Sequence, residues 1–214
     1  FNTNCFFNTG FNMYIPPYFD ERDPQLIQGV IDENNFGTLV SIIDQRPYAT
    51  HLPFVYDRDS ARLRGHMARA NPHWQALVEN PRDVLVIIQG PHRYISPMWY
   101  ANPGVPTWNY VAIHLYGEFQ VLDDPEVHKE VLRELTDRHE SGRTRPWLSD
   151  FNSPMVENMI GATVAFDIVL QETQAKFKLN QNRSTTDCAN VISELETDGS
   201  DNAVGVAKLM RTRR

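Results

Sequence analysis

The amino-acid sequence predicts a mainly β (α+β) chain, a small barrel with helices at its periphery. Apolar, β-branched runs of strand length follow one another at short intervals, and few helices interrupt them. Strands at that spacing suggest a barrel and not a doubly wound sheet. Helix starts are also punctuated in one repeated way. Asp23-Pro24, Asn71-Pro72, Asp124-Pro125 and Ser153-Pro154 each put a capping side chain before a proline suited to the first helical turn.

In chain order, Leu26, Ile27, Val30 and Ile31 mark one face of a helix after Asp23. Residues 36–43 read as a strand, 44–47 as a polar turn and 48–56 as the return strand. A turn at 57–60 leads to a strand at 62–68. Runs at 84–89 and 94–97 read as two short strands. A long strand covers 109–122, with Gly117 marking a bulge or bend. Val127, Val131, Leu132 and Leu135 give a helix, 163–170 and 176–179 two more strands, and 185–195 a further helix. Residues 1–12, with four Phe, four Asn and no charge, read as a foreign or unusual leader, with Met13 the natural start. The domain is expected over 13–195, and 196–214 as a short helix or a frayed tail whose Arg211, Arg213 and Arg214 are solvated.

The 214 residues are 41% hydrophobic and 22% charged, ordinary for a folded domain, and hold no apolar run of membrane-spanning length. Net charge is −7, which argues against a surface built to neutralise phosphates. Two cysteines, Cys5 and Cys188, make no disulfide framework, so a reducing cytoplasmic setting is expected. Dinucleotide, Walker A, zincin and nucleophile-elbow motifs are absent.

Large polar-tipped residues gather in blocks. In the first, 65–74, a strand ends and a capped helix begins, so His66 and Arg69 stand beside a helix start with the donors to hold a phosphate. The competing reading is a surface Arg and a satisfied internal His. Blocks 89–100 and 105–110 set aromatic rings beside Ser, Thr and Asn, suited either to a planar heteroaromatic ligand or to a core or subunit interface. Lys176 and Lys178 alternate onto one strand face, facing a phosphate or ring, or guarding a solvated edge.

The ordered segments MYIPPYF (13–19), THLPF (50–54), GHMARANPHW (65–74), QGPHRYISPMWY (89–100), VPTWNYVAIHLYG (105–117) and KFKLNQNR (176–183) resemble the PaiB-type FMN-binding proteins, labelled negative transcriptional regulators. Phe177 and Asn180 depart from the family's usual Trp and Ser. The resemblance implies an FMN-binding split β-barrel, related to flavin reductases and pyridoxamine phosphate oxidases, working as a homodimer with FMN between subunits. It implies a phosphate near Thr50, His51, Leu52, His66 and Arg69, with Tyr94, Ser96, Trp108 and Asn109 from the partner, and Lys176 and Lys178 as further contacts. A DNA partner goes with the regulator label, although the acidic charge and the lack of a clear helix-turn-helix weigh against direct contact. Two other functions stay open: an FMN-dependent oxidoreductase using NAD(P)H or oxygen, and a haem protein ligated by His51, His66, His92 or His114.

Overall fold

The computed structural model describes residues 12–79, 83–148 and 150–213. Residues 1–11, nearly all of the expected leader, and Arg214 lie outside the described residues. Helix α1 (Pro24–Glu33) starts as expected, with the Asp23 carboxylate accepting from the Gln25 and Leu26 amides, and it buries Ile27, Val30 and Ile31.

Strands β1 (Phe36–Ile43) and β2 (Arg46–Pro53) form a hairpin. Asp44 and Gln45 both take positive φ, 49° and 62°, so the turn is two residues long and the return strand starts at 46 rather than 48. The expected 48–56 strand is broken at Phe54, and β3 (Val55–Asp57) follows, pairing with β4 (Arg62–Ala68). Helix α2 (Pro72–Glu79) begins with Asn71 Oδ1 accepting from the His73 amide.

Strand β5 (Asp83–Ile95) joins the two short runs expected at 84–89 and 94–97, because a bulge between Gln89 and His92 absorbs Gly90-Pro91 without ending the pairing to β6 (Thr107–Val121). Helix α3 (Pro125–Glu140) is capped by Asp124. At α4 (Pro154–Gly161) the expected cap fails: Ser153 Oγ donates to the Asp150 carbonyl instead. Strand β7 (Thr163–Lys178) runs through the polar stretch between its two expected halves, since β6 pairs along nearly its whole length.

The C-terminal segment is no frayed tail. Helices α5 (Thr185–Asp198) and α6 (Asp201–Thr212) turn about Gly199 at φ 69°, and α6 puts Ala203, Val206, Ala207, Leu209 and Met210 into the main core. Arg211 stays exposed, as expected, in a surface pair with Glu196, whereas Arg213 pairs with the buried Glu21 and is anchored rather than solvated.

All paired strands are antiparallel, in the order β2-β1-β5-β6-β7-β4-β3. The two edge strands, β2 and β3, are consecutive in the chain and meet at the fully buried Phe54. The sheet therefore curls into a barrel around Leu39, Phe54, Leu63, Ile88, Ile113, Leu115 and Phe166. The bulge expected at Gly117 is present between Tyr116 and Gly117, and a Cβ there would lie 2.3 Å from the Val169 carbonyl oxygen. Among the described residues no helix is long and apolar enough to cross a membrane.

Candidate functional site

Residues paired across a sheet point to the same side. His51, Thr38, Ile87, His114 and Gln174 therefore share one row across five strands. The adjoining rows are Gln89, Ala112 and Lys176; then His92, Tyr110 and Lys178; then Tyr94 and Trp108. Their neighbours Leu39, Val86, Ile88, Val111, Ile113, Ala175 and Phe177 fill the barrel. The rows thus form its outer face, and this alternation brings His51, Tyr94, Trp108, Lys176 and Lys178 onto one surface.

One end of that surface is apolar where solvent would favour polar groups. Trp108 is 51% exposed and Tyr94 42%, and their rings meet edge to face at 6.1 Å. A concavity of about 420 Å³ beside them is lined by Ile87, Gln89, His92, Trp108, Tyr110, Val111 and Ala112. Lys178 Nζ donates to the Trp108 carbonyl at 3.0 Å and to Thr107 Oγ1. Burial, and after it the Lys176 ammonium, push the Lys178 amine down from its ordinary value. An anion docked beside the pair would offset both. Lys176 Nζ donates to the Tyr14 carbonyl at 2.8 Å and lies over the Tyr14 and Tyr110 rings.

The remaining expected residues lie elsewhere. Thr50 and Leu52 alternate with His51 and face inward. Asn109 is fully buried, with Nδ2 3.5 Å from Met210 Sδ and Oδ1 unpartnered among the described residues. Ser96 caps the short 3-10 turn Pro97–Trp99 through the Met98 amide. His66 sits on β4 opposite Ala165, and burial holds its imidazole below the ordinary value. Arg69 donates through Nε to the Gly161 carbonyl (2.7 Å) and through Nη2 to Thr163 O (2.9 Å), so two of its donors tie the strand end to the end of α4 and the start of β7.

Sequence reasoning passed over His73. It is 0% exposed, with Nε2 2.8 Å from Ser41 Oγ and Nδ1 2.8 Å from Thr50 Oγ1, and the Tyr48 ring packs against it. Burial pushes its imidazole down to about 4. The Asn71-Pro72 cap signal placed His73 at a helix start, but only the fold brings it to Ser41 and Thr50.

The outer face fits the ring of a flavin by its chemistry: aromatic walls for its faces, and a Gln amide and two ammonium groups for its polar edge. His114 Nδ1, in the row shared with His51, is buried and lacks a hydrogen-bond partner among the described residues, as the floor of a ligand site can be. A curled antiparallel barrel carrying such a face defines a split-barrel flavin protein. The family model described as "Putative FMN-binding domain" matches residues 13–172. "Protease synthase and sporulation protein PAI 2" of Bacillus subtilis (strain 168) is 41% identical over 204 residues, covering 94% of this chain and 98% of its own. Among solved structures, the "FAD and Heme binding protein from Mycobacterium smegmatis" superposes with a TM-score of 0.62 at 18% identity, over 79% of this chain and 78% of its own. The flavocytochrome Anf3 from Azotobacter vinelandii gives 0.60 at 18%, over 82% and 78%. Both bear on the fold alone. The chain belongs to the PaiB-type family of FMN-binding proteins, and FMN is its cofactor.

Proposed function

We propose that this chain is a cytoplasmic homodimer that holds FMN between its two copies and acts as a negative transcriptional regulator of the PaiB type. The observation that carries the dimer is the position of the candidate residues along β7. His66 pairs opposite Ala165, whereas Lys176 and Lys178 stand at the far end of the same strand. Positions 165 and 176 are separated by roughly 36 Å of strand at ~3.3 Å per residue. No single flavin nucleotide spans that path, so one copy supplies the lysine and aromatic face and the other the His66–Arg69 turn. The exposed Phe36, Ile42, Tyr94 and Trp108 on the outer face support a second copy covering it.

Regulation through a protein partner is favoured over direct duplex contact. Lys208, Arg211 and Arg213, which would give the last helix a basic end, pair with Glu33, Glu196 and Glu21. A second reading is favoured by the concavity beside Trp108, which leaves room for a small molecule against a bound ring: an FMN-dependent oxidoreductase, tested by anaerobic bleaching with NADPH or NADH.

The shared site is tested by co-expressing Arg69→Gln and Lys178→Met chains. If each site draws one end from each copy, mixed dimers contain one intact site and one doubly altered site. Flavin uptake then returns to half the wild-type stoichiometry, though neither variant alone binds. No recovery in mixed dimers would reject the arrangement.

A further inference from the structure

A second concavity lies toward the other end of β7, walled by α2, α3 and α4. Its volume is about 540 Å³, within the ~300–1,000 Å³ span of small-molecule sites. Trp74, Val121, Leu122, Ile160 and Val164 give it apolar walls. Polar groups at those walls are committed to one another. Arg69 holds the Gly161 and Thr163 carbonyls, and Trp74 Nε1 donates to the Arg69 carbonyl. The Thr163 hydroxyl donates to the Ile160 carbonyl, so towards His128 it accepts, and His128 carries its proton on Nε2. The interior therefore asks a guest mainly for apolar contact.

The rim is different. Lys129 Nζ bridges Glu126 of its own helix and Glu157 of α4, at 3.2 Å each. The lysine side chain is 13% exposed and that of Glu157 50%. Half-exposed ion pairs contribute little, so Glu157 can turn to water and leave the ammonium facing the concavity. A carboxylate carried on an apolar body would replace it, head on Lys129 and body against the walls.

We infer that this concavity binds a small monocarboxylate with an apolar body, admitted by exchange of Glu157 for the ligand's carboxylate on Lys129. The concavity shares Arg69 with the turn that the proposed function assigns to FMN, so its test uses the flavin-free chain. Calorimetric titration of octanoate into the full chain without added FMN tests it. The expected result is saturable binding, one per chain. Lys129→Met weakens it at least ~10-fold, whereas octanol, which lacks the charge, binds wild type and Lys129→Met alike. Gly161→Leu weakens octanoate binding and leaves the unfolding temperature unchanged. A Cβ at Gly161 meets nothing within 4 Å, and the carbonyl that Arg69 uses is retained, so this variant adds bulk at the wall of the concavity without a clash. The inference is overturned by no saturation up to about 10 mM, by equal binding in Gly161→Leu, or by equal weakening of octanol in Lys129→Met.

Discussion

The two halves of β7 are the same strand under different cover. From Val164 to Ile168 every residue is buried, because one side faces the barrel and the other lies under α3 through Val131 and Leu135. From Gln174 to Lys178 the inward residues Ala175 and Phe177 are still buried, but Lys176 and Lys178 face outward and are only partly buried, with the Tyr14 carbonyl and ring at the Lys176 ammonium. A chain that covers one half of a strand with its own helix and leaves the other half carrying lysines and aromatic neighbours has marked that half for something outside itself. The covered half contributes stability, and the uncovered half is available for binding.

The comparison predicts effects of different kind at the two ends. Phe166→Ala, in the covered half, removes a fully buried ring that packs on Phe54 and Phe119. Urea unfolding should show a loss of ~3–5 kcal/mol, and a loss below ~1 kcal/mol would mean the barrel core lies elsewhere.

Next in size is an acid effect away from both ends. His73 is neutral in the fold down to about 4, while an unfolded His titrates near the ordinary 6.5. Its depressed folded value means its contribution is complete above 6.5 and is lost as pH falls from 6.5 towards 4, by roughly 3 kcal/mol at most. Burial also lowers His66, His114 and His128, which adds in the same direction. In His73→Gln the slope of stability against pH across this window should flatten markedly. An unchanged slope would assign the acid sensitivity to the other three.

Trp108→Ala, on the uncovered surface, should leave unfolding within ~0.5 kcal/mol of wild type and weaken FMN at least ~10-fold, about 1.4 kcal/mol, in a fluorescence-quenching titration. The reverse pattern would erase the distinction between the two halves. Smallest is Arg211→Ala, whose partner Glu196 is also well exposed. It should cost no more than ~1 kcal/mol in thermal unfolding. A larger loss would give the C-terminal helix a structural weight that surface ion pairs rarely carry.

Much of this was legible in the sequence, for local reasons. Cap-proline pairs located α1, α2 and α3, because a cap is a contact within a few residues, and at α4 the proline alone marked the start. Gly117 announced its bulge, since no side chain fits against the Val169 carbonyl. The unity of β5 and of β7 was hidden, because Gly90-Pro91 and the polar 171–174 read as breaks until β6 is seen pairing past them. The docking of α6 was hidden for a similar reason: its small residues match a surface distant in sequence. At the site, strand alternation foretold that Lys176 and Lys178 share a side, but not that His51 and Trp108 join them. Nothing local revealed that Arg69 would spend donors on α4 or that His73 would meet Ser41 and Thr50, since both depend on the barrel closing.

The central claim, that one flavin is gripped by two copies, is tested most directly by sedimentation velocity of the FMN-loaded chain followed at a flavin wavelength. The account predicts that bound yellow colour travels with a species of twice the 24.7 kDa chain mass, and that dilution releases flavin as this species dissociates. Flavin sedimenting with the 24.7 kDa single chain would contradict it.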